Sequence, residues 1–149
     1  MERTREHARP VVARGEQAVP IGVARDIYRA GYWDLLQLDE VASSSCKVAL
    51  ELFDTAVNCG QATAAKYLQR ALNAFNHGAT DYPDVRADGL LGPVTVDALR
   101  RYMKVRGFTA EAVMLRALNA QQGAGYLTDA ELRPKDEKYV YGWFANRIA

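Results

Sequence analysis

The chain is poor in cysteine and histidine, and each shortage excludes a class of chemistry. Only two of its 149 residues are cysteines, Cys46 and Cys59, too few for a disulfide framework. If both lie on one helix, about 20 Å of rise separates them. A disulfide tolerates at most about 7 Å between Cα atoms. Both read as free thiols, which suits cytoplasmic synthesis. His7 and His77 are the only histidines, and they do not combine with the cysteines into metal-ligand spacing, so no metal is expected. No Ser-His-Asp or Cys-His arrangement, P-loop or G-x-G-x-x-G is present, so no cofactor is expected either. The formal net charge is only +1, so no overall field draws nucleic acid or an anionic membrane to the chain. No apolar run approaches the roughly 18 residues of a membrane span. The first residues also lack the apolar stretch of a secretion signal.

What is present is helical in pattern. Residues 1–20 are the exception: Arg3, Arg5, Arg9 and Arg14 alternate with Glu2, Glu6 and Glu16 and show no amphipathic period. They read as an irregular arm, with a short helix near Glu2 to Ala8. Ile21 to Ala30 predicts a short helix stopped by Gly31. Ser43 to Ser45 offer N-caps for the next helix. That helix sets Ala49, Leu52, Phe53, Ala56 and Val57 on one face, with Glu51, Asp54 and Asn58 opposite, and ends at Gly60. Ala62 to Phe75 is another helix, followed by a loop from His77 to Asp88. Pro93 opens a helix stopped by Gly107, where its missing N–H is harmless. Thr109 to Tyr126 and Glu137 to Arg147 complete the set. No alternating run reads as a strand, and Val85 and Leu90 are the only candidates for a short strand-like pairing. The expected fold class is all-α.

Three groups of residues could carry chemistry. The sharpest is D-G-L-L-G-P-V-T, Asp88 to Thr95. Gly89 allows a positive φ, Gly92 lets the chain enter the helix closely, and Thr95 can bond within the first turn. The plain reading is a well-made helix start; the functional reading adds a groove where amide groups meet a polar ligand. The second group is Glu51, Asp54 and Asn58, on one helix face. Glycoside cleavage needs a carboxylic acid beside the scissile oxygen, and two crowded carboxylates can raise one pKa. A solvated face explains the same spacing. The third group is aromatic: Tyr28, Tyr32 and Trp33 suit the apolar faces of sugar rings or, equally, a core. Tyr139, Trp143 and Arg147, at i, i+4 and i+8, should pack the last helix back onto the domain.

Several blocks, in order, resemble one family. They are A-R-D-I-Y-R-A-G-Y-W-D from Ala24, L-F-D-T-A-V-N-C-G from Leu52, A-K-Y-L-Q-R-A-L-N from Ala65, D-G-L-L-G-P-V-T from Asp88 and Y-G-W-F-A-N-R from Tyr141. Together they look like glycoside hydrolase family 108, phage and bacterial N-acetylmuramidases that include secretion activator proteins. The resemblance implies a compact lysozyme-like helical bundle over residues 21–149. Of this, about 48–149 looks like the family's peptidoglycan-binding module. It also implies a ligand, the glycan strands of peptidoglycan, and makes Tyr32, Trp33, Asp54, Asn58, Asp88, Gly89, Gly92 and Thr95 the binding candidates.

The family carries its catalytic glutamate in an E-G-G-Y-type motif well upstream of the Y-W block. Only 31 residues precede Tyr32, and Glu16, in R-G-E-Q-A, lacks the glycines and tyrosine that should follow. The resemblance therefore implies peptidoglycan binding with the family's catalytic glutamate not found at its usual place, and a truncated gene, an altered start site or a remnant would each account for it. Residues 1–20 look unrelated to the family. An active muramidase using a substitute acid, Glu51 or Asp54, is the second reading. A structural or partner-binding remnant, monomeric or weakly dimeric over an apolar scar, is the third. A holin-type route from the cytoplasm to the periplasm or cell wall would fit the resemblance.

Overall fold

The computed structural model describes residues 19–149, and the described residues form seven α-helices and no strand. The arm read at residues 1–20 falls almost wholly outside them. The helices are α1 (Ile21–Tyr28), α2 (Leu38–Ser44), α3 (Cys46–Cys59), α4 (Gln61–Phe75), α5 (Pro93–Arg106), α6 (Ala110–Leu132) and α7 (Glu137–Arg147).

The central element is α3, which packs on α2, α4 and α6. Its apolar stripe explains this: Ala49, Leu52 and Ala56 are fully buried, while Phe53 and Val57 flank them half-buried. Leu68 and Leu72 of α4, Leu99 of α5, and Met114 and Leu118 of α6 close the core around it. Both ends of α3 follow from single residues. Ser45 caps the start, its Oγ accepting from the Val48 amide at 3.1 Å and donating to Glu111 at 2.7 Å. Gly60, at φ 95°, ends the helix and starts α4. Cys46 and Cys59 occupy opposite ends of α3 and form no disulfide with each other.

Four local expectations need correction. Gly31 does not stop α1. The chain continues through a π-helical turn, Arg29–Trp33, closed by the Asp34 amide donating to the Arg29 carbonyl at 2.9 Å. The extra residue turns Tyr32 and Trp33 beside Phe53. The long helix α6 runs past Tyr126 to Leu132; its last turns bury no residue, with Leu127 and Leu132 exposed, so no core-facing stripe marks them. Val85 and Leu90 form no strand pairing. Their backbones are held instead by two side chains of α4, one turn apart. Asn73 accepts from the Val85 amide and donates to its carbonyl, both at 2.8 Å, and Gln69 donates to the Leu90 carbonyl at 2.9 Å.

The fourth correction concerns the glycines before α5. Gly89 adopts φ 79°, and a Cβ there would lie 3.1 Å from both Cβ and O of Ala62. Gly92 is extended, and a Cβ there would meet nothing within 4 Å, so no close approach requires it. Gly89→Ala is expected to lower stability by roughly 1–3 kcal/mol, with Gly92→Ala near neutral. Paired urea midpoints check this; equal midpoints would remove the special role of Gly89.

Candidate functional site

The π turn and α3 build an aromatic wall. Phe53 is its centre: Trp33 lies 5.8 Å away in a tilted pair, and Tyr28 and Tyr32 meet it edge-on at 6.5 and 6.4 Å. Tyr28 stacks on Tyr32 at 5.8 Å. The turn is fastened at its back, where Gln61 donates to the Gly31 carbonyl at 2.9 Å. Asp39, in the first turn of α2, fastens the front. It accepts from the Trp33 indole nitrogen at 2.9 Å and from the Arg29 guanidinium at 2.8 Å. Asp34 adds a second carboxylate 3.5 Å from Arg29.

Between α1, the π turn and α3 lies a cleft of about 830 Å³, lined by Tyr28, Trp33, Phe53 and Val57, with Arg25, Asp26, Arg29 and Asp54 as its charged members. Its size falls within the range of small-ligand sites. Flat rings beside charged hydrogen-bonding groups can hold the apolar face of a sugar while bonding its hydroxyls.

Only part of the expected constellation converges here. Trp33 and Asp54 line the cleft. Tyr32 packs behind it on Phe53, half-buried. Asn58 turns back to its own helix, donating to the Asp54 carbonyl at 2.8 Å. Asp88, Gly89 and Thr95 belong to a separate bracket around Gln69, which is 1% exposed; Gly89 and Thr95 are buried with it, and Asp88 is exposed at its edge. The Gln69 carboxamide accepts from the Gly89 amide at 3.0 Å and donates to the Leu90 carbonyl at 2.9 Å. Asp88 Oδ1 and Thr95 Oγ1 each lie 3.3 Å from the same nitrogen. The Leu90 amide, and then Gln69, hold the Asp88 carboxyl below the usual range. The Gly89 amide and Thr95 hydroxyl are thus committed to the fold, and Thr95 bonds to α4 rather than within its own turn. A groove at the start of α5 takes Pro93 and Val94 from the Gly89 to Thr95 stretch and is completed by Tyr82 and Pro83, while Gly89, Gly92 and Thr95 do not line it. Arg25, Arg29, Phe53 and Val57 were not singled out as ligands from the sequence. The only hint was their spacing in the same two blocks.

The carboxylates divide in character. Asp54 sits at the cleft rim, 3.5 Å from Arg147 of α7. That helix is docked by Trp143, buried and 5.1 Å from the Tyr126 ring, and Tyr139 stacks on Trp143 at 6.2 Å. Glu51 is one turn earlier on α3. Its Oε1 is buried without a hydrogen-bond partner in the protein, and it does not line the cleft. Burial, and then the charge of Asp54, push the Glu51 pKa up from 4.5 to about 6. The native state therefore binds more protons than the unfolded chain between these two values. The stabilising contribution is fully present below about pH 4.5 and is lost as pH rises through about 6. Discounted for partial solvent screening, the loss is about 1 kcal/mol. Glu51→Gln should remove it. The difference in unfolding free energy between wild type and variant should thus change across this window, and a constant difference would show Glu51 to be unperturbed.

Among the described residues no group of histidine, cysteine, aspartate or glutamate could hold a metal ion. No described helix is long and apolar enough to cross a membrane.

Comparison with known families divides the chain near Gly60. Residues 63–148 match a family described as a predicted peptidoglycan domain, and residues 4–60 match glycosyl hydrolase 108. The second match reaches into the segment that looked unrelated by its residues alone. The aromatic cleft lies wholly within the glycosyl hydrolase 108 match, and the Gln69 bracket within the peptidoglycan-domain match. No curated protein matches the chain.

Proposed function

Because the chain belongs to the peptidoglycan-domain family and is a muramidase-related, peptidoglycan-binding protein, we propose that it holds the glycan strand in the cleft between α1 and α3. The observation that carries this is the aromatic wall of Tyr28, Trp33 and Phe53 facing Arg25, Arg29 and Asp54 across about 830 Å³. Sugar rings stack on the wall, and the charged rim takes their hydroxyl and carboxyl groups.

Hydrolysis is the second reading, and one observation favours it: a half-buried glutamate whose carboxyl keeps its proton to about pH 6. Glycoside cleavage needs such an acid at the leaving oxygen. Asp54 would then supply the charge that stabilises the oxocarbenium-like state. Against it stands the position of Glu51 outside the cleft lining.

One tube tests both readings. The protein is mixed with purified insoluble peptidoglycan, turbidity is followed, and the pellet is assayed. Protein in the pellet at constant turbidity is expected. Falling turbidity that Glu51→Gln stops would establish hydrolysis. Protein left in the supernatant would remove the glycan reading.

A further inference from the structure

The structure assigns a second recognition surface, on residues 82–108, to the short peptides that hang from the glycan of peptidoglycan. This rests on the peptidoglycan reading above and places a different part of the polymer on a different part of the chain.

A groove of about 290 Å³ runs beside the first turns of α5, walled by Tyr82, Pro83, Pro93 and Val94 and ending at Asp97 and Arg101. Its volume is at the low end for ligand sites and suits one or two small residues rather than a disaccharide. The Tyr82 hydroxyl is occupied, donating to the Leu72 carbonyl at 2.8 Å, so the wall it offers is apolar. At the groove's end Arg101 Nε meets Asp97 at 2.8 Å, yet the arginine side chain remains 55% exposed. It can take a second carboxylate through its remaining nitrogens.

The surface continues beyond the groove. The buried face of α5 is complete with Val96, Leu99 and Tyr102. The same helix still carries Val94, 70% exposed, and Val105 outward, in line with Arg101 and Lys104. Phe108, just past the helix end, is fully exposed. Packing among the described residues does not account for an outward apolar row interleaved with cations. A ligand that alternates small apolar side chains with carboxylates does, and the peptides of peptidoglycan, rich in alanine and free carboxyl groups, have that chemistry. The helices that carry the two surfaces pack around one core. Glycan and peptide contacts therefore reinforce each other through effective concentration.

The test compares the full chain with Arg101→Glu and Val94→Asp, both at exposed positions. Each is titrated by calorimetry with peptide released from peptidoglycan by an amidase, and each is cosedimented with intact and with peptide-stripped glycan. Loss of peptide binding in both variants is expected, with about a fivefold weaker hold on intact peptidoglycan and unchanged retention on stripped glycan. Unchanged peptide binding in the variants would overturn the assignment, as would no heat from the wild type with released peptide. A variant effect seen only on walls bearing phosphate polymers would also overturn it, naming an anionic polymer instead. Failure of the glycan reading looks different: stripped glycan would not retain the wild type, while released peptide still bound.

Discussion

Gln69→Leu is expected to lower the stability of this protein by roughly 3–5 kcal/mol, the largest single-residue effect outside the apolar core. The leucine matches the glutamine in size and would keep the buried volume filled. It would leave the Gly89 amide and the Leu90 carbonyl without their partner, and remove the Gln69 donor from Asp88 and Thr95. A buried polar group stripped of its partner costs about 1–3 kcal/mol. Here two backbone groups lose theirs at once, while Asp88 keeps the Leu90 amide at 2.9 Å. Thr95→Val removes one member of the bracket and should cost about 1 kcal/mol. Urea unfolding followed by circular dichroism reads both. If Gln69→Leu shifts the unfolding free energy by less than about 1 kcal/mol, the loop before α5 is held by something other than this carboxamide.

The Gln69 bracket also marks where the sequence stops being legible. Helix starts and stops were readable wherever one residue type decides them. Ser45 caps α3, Gly60 and Gly107 end helices at positive φ, Pro93 opens α5, and α7 runs over the expected Glu137–Arg147. The apolar stripe of α3 was readable because period 3.6 is visible over about four turns of alternating apolar and polar faces. Gln69 and Asn73 were not. A carboxamide beside Leu68 and Leu72 looks like the solvated edge of a helix, and only the loop folding back over α4 makes it an anchor. The π turn was equally hidden: an i to i+5 bond has no sequence signature, and Gly31 looked like a stop. The candidate site inherits both blind spots. Trp33 and Asp54 were readable from the blocks that hold them. Their meeting with Phe53 and Arg29 depends on the rotation that the π turn imposes.

Trp33→Ala is expected to weaken retention on peptide-stripped glycan by roughly thirtyfold, the loss of a central aromatic anchor. The indole is well placed to be that anchor. Its ring is 5.8 Å from Phe53, and its nitrogen is fixed by Asp39 at 2.9 Å, so little rotamer freedom remains to be lost on binding. Trp33→Phe keeps a flat face but loses the bond to Asp39, and should fall between wild type and alanine. Asp39→Asn retains an acceptor for the indole but removes the charge from Arg29 at 2.8 Å. It should therefore act through the guanidinium, which keeps only Asp34 at 3.5 Å to hold it in place. The chain has two tryptophans. Trp143→Phe on α7 leaves Trp33 as the sole indole, and its emission should shift on titration with soluble glycan fragments. Urea midpoints separate a lost contact from a lost fold. Wild-type affinity in Trp33→Ala, with a silent Trp33 emission, would place the glycan outside this cleft. Intermediate affinity in Trp33→Phe would instead show that both the ring face and its fixed orientation contribute.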